Sequence, residues 1–325
     1  MSNPRVICLG EVLVDYLADQ VGVSAEGVES WTRFLGGAPA NVACGLVKLG
    51  TPAALVGCVG RDEGGDWWRG VCEEVGVDSR GIQVHPTAPT RSVYVLRSPS
   101  GEREFTGFGG LAPDAFADAY LEANLLPTAL FAEAEYLVLG TLELAYPQTR
   151  SAIFHALELA NEYHLKVFLD INWRPMFWPE PDSARDRIAQ LWNWVDFVKL
   201  SQEEAQWLFN TMDAGAIAHQ LNSVEGVVVT GGGSDPIRYC LNDHEGRLTP
   251  FQVAVEDTTG AGDGFVAGLL HQLVQQGLQA LNRPESVGEI ITYAAAVGAL
   301  VTTQRGALSG QPTDSQVREF LEIQD

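Results

Sequence analysis

The sequence predicts an α/β fold, with a mainly parallel central sheet flanked by helices and a small β-sheet lid. Two observations support this prediction. Short apolar strands alternate with helical patterns along most of the chain, and two regions carry strand patterns and turns with no helix between them. Alternating strands and helices favour a parallel sheet with helices on both faces. We therefore expect one domain over residues 1–325, with lid strands within about 12–35 and 81–108.

The strands of the central sheet are short apolar runs, as expected for strands buried on both faces. They are predicted at 6–9, 54–59, 136–139, 167–170, 197–199 and 227–230. The helices are predicted after Gly37 to about residue 49, and at about 65–75, 147–163, 182–193, 202–209 and 286–306. The first of them stops at Gly50 and Pro52, which are residues that end helices. Ligands of parallel sheets bind at the carboxyl ends of the strands, where Glu11, Asp170 and Lys199 lie.

The lid is predicted from the two regions that break this alternation. The first pairs 12–17 with 31–35, and the second joins 81–84 with 91–96 and 102–108. Turns separate these strands, and no helical pattern lies between them. The alternative is a pair of surface hairpins with no role.

Composition limits the classes of protein that fit this chain. A hydrophobic content of 46% is ample for a core, and a net charge of 20 − 42 = −22 argues against nucleic-acid or anionic-membrane partners. The five cysteines are odd in number and lack CxxC spacing, which favours buried free thiols in a reducing compartment. We see no signal peptide, and no apolar run reaches the ~18 residues that span a bilayer. We therefore expect a cytoplasmic protein.

The most informative segment runs from Asp257 to Phe265 and reads DTTGAGDGF. Its glycines allow a tight turn whose N–H groups face an anion, and the helix that follows adds the positive end of its dipole. A phosphoryl group would fit there, and Asp263 beside it could take a proton from an incoming hydroxyl. This combination indicates phosphoryl transfer to an alcohol. The alternative is that Asp263 only stabilises the first helical turn.

A second glycine pair, Gly36-Gly37, opens the segment GGAPANVA before a helix. The two segments, in this order, resemble the two signatures of the ribokinase family of carbohydrate kinases, and the resemblance covers essentially the whole chain. Taken alone, GGAPANVA could be a capped helix with a solvated Asn41. The chain has no GxGxxG after its first strand and no GxxxxGK[ST], so a dinucleotide-binding oxidoreductase and a P-loop NTPase are disfavoured.

The resemblance implies a ribokinase-like fold and roles for the residues of both signatures. It implies that the sugar is bound by Gly36, Gly37 and Asn41, and that Asp263 is the general base. It also implies that an anion hole is formed by the N–H groups of Gly260, Ala261 and Gly262. In the family the lid covers the sugar and often forms a dimer interface, so a homodimer through the lid is one expectation. Lid closure would exclude water, which competes with the sugar hydroxyl.

Three further segments resemble the fructokinase branch of this family. They are DINWRP at 170–175, GEVLVD at 10–15 and GEREF at 101–105. The resemblance implies that Asn172, Arg174 and Asp15 contact the substrate, and a guanidinium such as that of Arg174 suits bidentate binding of phosphate oxygens. The alternatives are a surface salt bridge for Arg174 and a turn cap for Asp15.

The nucleotide is expected at two other strand ends. The resemblance implies that ATP is bound by Ser201, Thr230, Gly231, Gly232 and Gly260, and that Glu204 acts on Mg²⁺ through water. Ser201 and Glu204 also match a helix capping box, which is the alternative for this pair. A helix that begins with the capping box Ser286-x-x-Glu289 would close the adenine pocket.

Two acidic residues have weaker assignments. Asp257 aligns with a residue that binds a monovalent cation in the family, so K⁺ is a candidate ion, and an Asx-turn is the alternative. Glu143, just past Gly140, faces the sugar in ribokinase-like relatives, although an exposed loop carboxylate is the alternative.

These assignments predict an ATP-dependent sugar kinase, a fructokinase that phosphorylates the 6-hydroxyl of fructose, with ATP and Mg²⁺ as cofactors. A 2-keto-3-deoxygluconate kinase is the closest alternative, because Arg91 and Arg97 could bind a substrate carboxylate under the lid. Ribokinase and nucleoside kinase are less favoured. A kinase-like scaffold or regulatory protein is the non-enzymatic alternative, although such proteins usually lose the base or the glycine cradle.

Overall fold

The computed structural model describes residues 3–98 and 103–324. Its strands form two sheets, one of nine strands and one of four. The strands are β1 (Val6–Leu9), β2 (Leu13–Val21), β3 (Trp31–Gly36), β4 (Ala53–Gly60), β5 (Asp78–His85), β6 (Arg91–Arg97), β7 (Arg103–Gly107), β8 (Tyr136–Leu139), β9 (Lys166–Asp170), β10 (Phe197–Ser201), β11 (Gly226–Thr230), β12 (Ile237–Leu241) and β13 (His244–Leu248).

The large sheet has the order β13-β12-β11-β10-β9-β8-β1-β4-β5. The neighbours from β11 through to β5 pair in parallel, while β12 and β13 pair antiparallel at one edge. The predicted mainly parallel sheet is therefore confirmed, and the β12–β13 hairpin is an addition that the sequence analysis missed. Strand β1 lies between β8 and β4, third from the β5 edge, and is completely buried.

Helices cover both faces of this sheet. They are α1 (Ala38–Leu49), α2 (Glu63–Val75), α3 (Thr128–Phe131), α4 (Pro147–Glu162), α5 (Ala184–Ala189), α6 (Gln202–Phe209), α7 (Ala214–Leu221), α8 (Ala261–Gln276), α9 (Pro284–Val301) and α10 (Asp314–Gln324). Alternate residues of a strand point to opposite faces. Accordingly, Ile7 and Leu9 join a core that contains the apolar side of α4, while Val6 and Cys8 join a core that contains α1, α8 and α9.

The small sheet has the order β3-β2-β6-β7, and we call it the lid sheet. Strand β2 pairs antiparallel with β3 and parallel with β6, and β6 pairs antiparallel with β7. One predicted lid strand is wrong, because residues 81–84 belong to β5, which pairs in parallel with β4 at the edge of the large sheet. Of the predicted strand 102–108, residue Glu102 lies outside the described residues, as does Gly101 of the GEREF segment.

Two predicted helices differ from the structure. The helix expected at 182–193 is reduced to α5, which a short 3-10 helix at Pro181–Ser183 precedes and irregular turns follow. The last long helix, α9, begins at Pro284 rather than Ser286, so Ser286 lies buried inside its first turn and does not cap it. All five cysteines are buried free thiols, as predicted. Within 3–98 and 103–324, no helix is both long enough and apolar enough to cross a membrane.

Candidate active site

Two residues from distant parts of the chain meet at the starts of two helices. Asn41 lies in the first turn of α1 and Asp263 in the first turn of α8. The Asn41 Nδ2 donates a hydrogen bond of 2.7 Å to Asp263 Oδ2. Burial raises the pKa of Asp263 to about 6, although the Asn41 hydrogen bond acts in the opposite direction. A carboxyl group with this pKa is ionised at neutral pH and can still accept a proton, as a general base must.

The turn before α1 depends on glycine for its shape. Gly37 has φ 113°, and a Cβ there would collide with the Glu11 carbonyl oxygen. The Glu11 side chain supports the same turn, because its Oε1 accepts the Ala38 N–H at 2.7 Å. A side chain at Gly36 would reach the Asp15 carboxylate of β2, so this turn lies against the lid sheet.

The turn before α8 has the same construction. Gly260 caps α8 with φ 80°, and a Cβ there would lie 2.6 Å from the Cβ of Ala307. The first N–H groups of a helix lack partners within the helix, so this end can bind an anion. The Lys199 ammonium lies beside this turn, 3.0 Å from where a Cβ of Gly262 would stand.

Lys199 was placed at a strand end by the sequence, but no role was assigned to it. Its Nζ binds Asp170 Oδ1 at 3.0 Å, and both side chains are buried. Burial would lower the pKa of Lys199, but the Asp170 carboxylate outweighs it and the pKa is raised. The ammonium therefore stays charged next to the anion-binding turn.

A cavity of about 440 Å³ joins the lid sheet to these two turns. Leu13, Asp15, Val93, Val95 and Phe105 of the lid sheet line one side of it. All six residues predicted to bind the substrate line it, namely Asp15, Gly36, Gly37, Asn41, Asn172 and Arg174. The predicted base Asp263 and two residues of the predicted anion hole, Gly260 and Gly262, line it as well. We call this space the acceptor cavity.

Asn172 and Arg174 reach the acceptor cavity from the segment after β9. Asn172 has φ 38°, a left-handed conformation that asparagine tolerates better than most residues. The Arg174 side chain is exposed. Within the described residues its guanidinium makes one long hydrogen bond, 3.4 Å from Nη1 to the Trp173 carbonyl oxygen. The guanidinium is thus available to a ligand.

A second cavity, of about 260 Å³, lies on the other side of the turn before α8. It is lined by Thr230, Gly231, Gly232, Ala261 and Gly262 among the predicted residues, and by apolar side chains that include Phe251, Val253, Val255 and Ala295. Thr258 and Gly262 line both cavities, so the two spaces meet at the glycine turn. We call it the nucleotide cavity, because its apolar walls and glycine-rich end fit a base and phosphates.

Three residues predicted to bind the nucleotide or an ion lie outside both cavities. Ser201 and Glu204 form the capping box of α6, in which the Ser201 Oγ accepts the Glu204 N–H at 3.2 Å and the Glu204 Oε2 accepts the Ser201 N–H at 2.7 Å. Asp257 forms an Asx-turn in which Oδ1 accepts the Thr259 N–H at 3.0 Å, and its Oδ2 accepts the Gly306 N–H at 2.9 Å. The alternatives considered for these residues are therefore present in the structure.

A metal at this site would have to be held mainly by water and phosphate. No group of three or more His, Cys, Asp or Glu in the described ranges could hold a metal ion by itself. Magnesium typically keeps several waters and uses only one or two carboxylates together with substrate phosphates. Both oxygens of the buried Glu204 already accept backbone N–H groups, Oε1 from Trp173 at 2.8 Å and Oε2 from Ser201 at 2.7 Å, which leaves this carboxylate an indirect role toward a metal, through water.

The two arginines expected under the lid do not reach the acceptor cavity. Arg91 is completely buried, with Nε 2.6 Å from Asp118 Oδ2 and Nη2 2.9 Å from the Tyr146 hydroxyl. Arg97 binds the backbone carbonyls of Ala18 and Asp19. Glu143 is neither exposed nor part of the cavity wall, because it is buried behind Glu11.

The chain resembles known sugar kinases along nearly its whole length. The family model described as pfkB family carbohydrate kinase matches residues 3–314. A curated relative, the probable fructokinase-6 (chloroplastic) of Arabidopsis thaliana, is 34% identical over 323 residues, which cover 98% of this chain and 83% of the relative. The crystal structure of a fructokinase with bound ATP from Xylella fastidiosa has a TM-score of 0.88 and 31% identity, with 98% of both chains covered.

A second solved structure was determined with fructose, ADP and a calcium ion bound. It is the fructokinase from Vibrio cholerae O395, with a TM-score of 0.83 and 27% identity, covering 99% of this chain and 100% of that one. These similarities extend over the large sheet and the lid sheet together.

Proposed function

The chain belongs to the pfkB family of carbohydrate kinases, and from this premise we propose that it is an ATP-dependent fructokinase. In this reaction the 6-hydroxyl of fructose attacks the γ-phosphorus of ATP. The new O6–P bond forms as the bond to the β-phosphate oxygen breaks, and ADP leaves. The hydroxyl proton passes to Asp263.

One observation carries this proposal. Asp263 lies on the wall of the acceptor cavity, one residue from Gly262, where the acceptor and nucleotide cavities meet. A hydroxyl in the first cavity and a phosphoryl group in the second would therefore approach each other beside this carboxylate. The N–H groups of Gly260, Ala261 and Gly262, with the Lys199 ammonium nearby, would stabilise the charge on the transferring group.

A neutral sugar fits the acceptor cavity better than a sugar acid does. Glu11, Asp15 and Asp263 bring carboxyl groups to its wall, whereas Lys199 is already paired with Asp170. Arg174 is then the one cation on this wall without a carboxylate partner among the described residues, set against three carboxyl groups. The two other arginines considered for a substrate carboxylate point elsewhere, which favours fructose over 2-keto-3-deoxygluconate.

We expect Mg²⁺ to accompany ATP and K⁺ to act at Asp257. Magnesium supplies charge neutralisation between the phosphates when bound, with Glu204 acting through water. Asp257 is a half-buried loop carboxylate that accepts the N–H groups of Thr259 and Gly306, an arrangement in which backbone carbonyls nearby could complete a cation site. Turnover in KCl compared with choline chloride at equal ionic strength tests the potassium proposal, and equal rates would contradict it.

We also expect a homodimer through the lid sheet. Tyr16 and Tyr94 stack at 4.8 Å, with Trp31 edge-on to Tyr94 at 5.1 Å. Their neighbours Asp15 and Val93 line the acceptor cavity, so the two tyrosines point to the opposite face. Sedimentation of the protein and of Tyr94→Glu tests this expectation, and a monomeric wild type would contradict it.

The decisive experiment measures ADP release from Mg-ATP with fructose, 2-keto-3-deoxygluconate, ribose and adenosine as acceptors. We expect selective turnover of fructose. Asp263→Asn should lower kcat by at least ~10²-fold, the usual contribution of a general base. Glu285→Gln is the matched control, because Glu285 is an exposed acidic residue in the first turn of α9. This variant removes a charge that acts only on a helix dipole, which is the alternative role of Asp263. Similar losses in both variants, or no turnover of fructose by folded protein, would contradict the proposal.

A further inference from the structure

Two carboxylic acids lie side by side beneath the acceptor cavity. Glu11 follows β1 and Glu143 follows β8, and these neighbouring strands bring the two side chains together. Glu11 is 5% exposed and Glu143 is 2% exposed. The carboxyl groups adjoin, because Glu143 Oε1 lies 3.0 Å from where a Cβ of Gly10, the residue before Glu11, would stand, and each carboxyl group acts on the pKa of the other. The phosphoryl-transfer chemistry described above uses neither of them.

The surroundings of the pair offer little to balance two negative charges. Glu11 accepts the Ala38 N–H, but neither oxygen of Glu143 has a donor from the rest of the described chain. The charged group that faces Glu11 from α8 is Asp263, which is also acidic. Asp118 faces Glu143, and its own charge is bound by Arg91.

A carboxylate is only an acceptor of hydrogen bonds, so two ionised carboxylates cannot bind each other. Contact between them requires a proton on one of the two, and the second ionisation is then strongly disfavoured. The protonated carboxyl group then supplies the one hydrogen-bond donor that can act between Glu11 and Glu143. Glu143, the member without a backbone donor, is the natural carrier of this proton.

We propose that Glu11 and Glu143 share one proton in the active enzyme, and that this pair positions the Gly36-Gly37-Ala38 turn against the acceptor sugar. Glu143 donates to Glu11, and Glu11 in turn accepts the Ala38 N–H at 2.7 Å. Glu143 is a positioning residue, because it acts on the sugar only through Glu11 and the turn. The positioning role rests on the proposed function, whereas the shared proton does not.

The shared proton should be lost only in the alkaline range. Burial raises the pKa of Glu11 to about 7, so the ionisation of Glu11 near neutrality leaves one proton on the pair. Burial together with the neighbouring Glu11 raises the pKa of Glu143 well above its usual range, so the second ionisation follows at higher pH. Two charges would then repel each other and disturb the turn. We therefore expect the KM for fructose to increase in the alkaline range, above the pH at which Glu11 ionises, with a smaller change in kcat.

Two substitutions at Glu143 separate a proton donor from a simple space filler. In Glu143→Gln the amide N–H can donate to Glu11 in place of the shared proton, whereas in Glu143→Leu nothing can. We expect the KM for fructose at neutral pH to be at least roughly 10-fold higher in Glu143→Leu than in Glu143→Gln, because a buried acceptor loses its donor. The rise of KM with pH should be absent from Glu143→Gln. Glu158→Gln, a largely exposed carboxyl on α4, is the control.

A measurement that needs no activity keeps the shared proton testable if Glu143→Leu fails to fold or if fructose is not the substrate. Infrared difference spectra should show the carbonyl band of a protonated carboxyl group at neutral pH in wild type and in Glu158→Gln, and its loss in Glu143→Gln. No such band, or equal KM values in the two Glu143 variants, would overturn the inference. A band without fructose turnover would instead contradict only the proposed function and the positioning role built on it.

Discussion

At the scale of single residues, the protonation of Asp263 should set the acid side of the pH profile. Its pKa is raised to about 6 by burial, and only the ionised form accepts a proton. We therefore expect kcat/KM for fructose to rise with a midpoint near pH 6 and to level off near neutrality, before the alkaline fall expected when the Glu11–Glu143 pair loses its proton. The kcat/KM profile reports the groups of the free enzyme, so steady-state rates at a series of pH values measure this directly.

Asn41 provides the matched test of this assignment. Its 2.7 Å hydrogen bond stabilises the Asp263 carboxylate, so Asn41→Ala should raise the pKa of Asp263 and move the acid limb to higher pH. Because Asn41 also lines the acceptor cavity, the maximal kcat/KM will fall as well. The informative quantity is therefore the pH at the midpoint of the acid limb. An unmoved limb would assign it to another group.

The sequence pointed to most of the residues that gather at the two glycine turns, but it could not identify which other residues of the chain contact them. Asp263 and Asn41 stand in recognisable segments, whereas their hydrogen bond joins positions far apart in the chain. Lys199 and Glu11 were visible only as polar residues at strand ends. Their importance depends on Asp170, Gly262 and Glu143, which neighbouring strands and helices bring to them. Arg91 was misjudged because Asp118 and Tyr146, which bind it, come from two later segments of the chain, one before β8 and one after it.

At the scale of elements, the turn into α1 allows a test of how much its glycine matters. Gly37 and Gly50 flank α1 and both have positive φ, at 113° and 97°. A Cβ at Gly37 would strike the Glu11 carbonyl, whereas a Cβ at Gly50 would meet nothing within 4 Å. Gly37→Ala therefore combines backbone strain with overpacking, and Gly50→Ala has the strain alone.

We expect Gly37→Ala to lower the free energy of unfolding by about 2–5 kcal/mol and Gly50→Ala by about 1–2 kcal/mol. Urea denaturation of the three proteins measures the difference. Gly37→Ala should also raise the KM for fructose, while Gly50→Ala, at the far end of α1, should leave it unchanged. Equal losses of stability would mean that the turn moves away from Glu11 at little cost.

Two strand pairings escaped prediction for different physical reasons. Residues 81–84 are followed after a short turn by another strand, so they suggested a hairpin, but β5 pairs instead with β4 across the α2 crossover. That pairing depends on tertiary contacts that local patterns do not contain. The β12–β13 hairpin did have a local signal, because Asn and Asp, here Asn242 and Asp243, tolerate the positive φ that a two-residue hairpin turn requires, and both adopt it.

At the scale of the whole molecule, the protein is strongly acidic, and an anion is attracted only locally, by Lys199, Arg174 and the backbone N–H groups of the turn before α8. The net charge is −22, and the acceptor cavity adds carboxyl groups of its own. An anionic acceptor would be repelled on approach, whereas neutral fructose would not. Salt screens such repulsion, since the Debye length falls from about 30 Å at 0.01 M to about 8 Å at 0.15 M.

The ionic strength therefore distinguishes the two acceptors. At saturating Mg-ATP and fixed KCl, we expect kcat/KM for 2-keto-3-deoxygluconate to rise as choline chloride is added, while kcat/KM for fructose stays nearly constant. Holding KCl fixed separates screening from any specific effect of potassium at Asp257. Rates that fall with salt for the keto acid would indicate attraction by a local cation such as Arg174, and would bring the sugar-acid kinase back as the better description of the acceptor cavity.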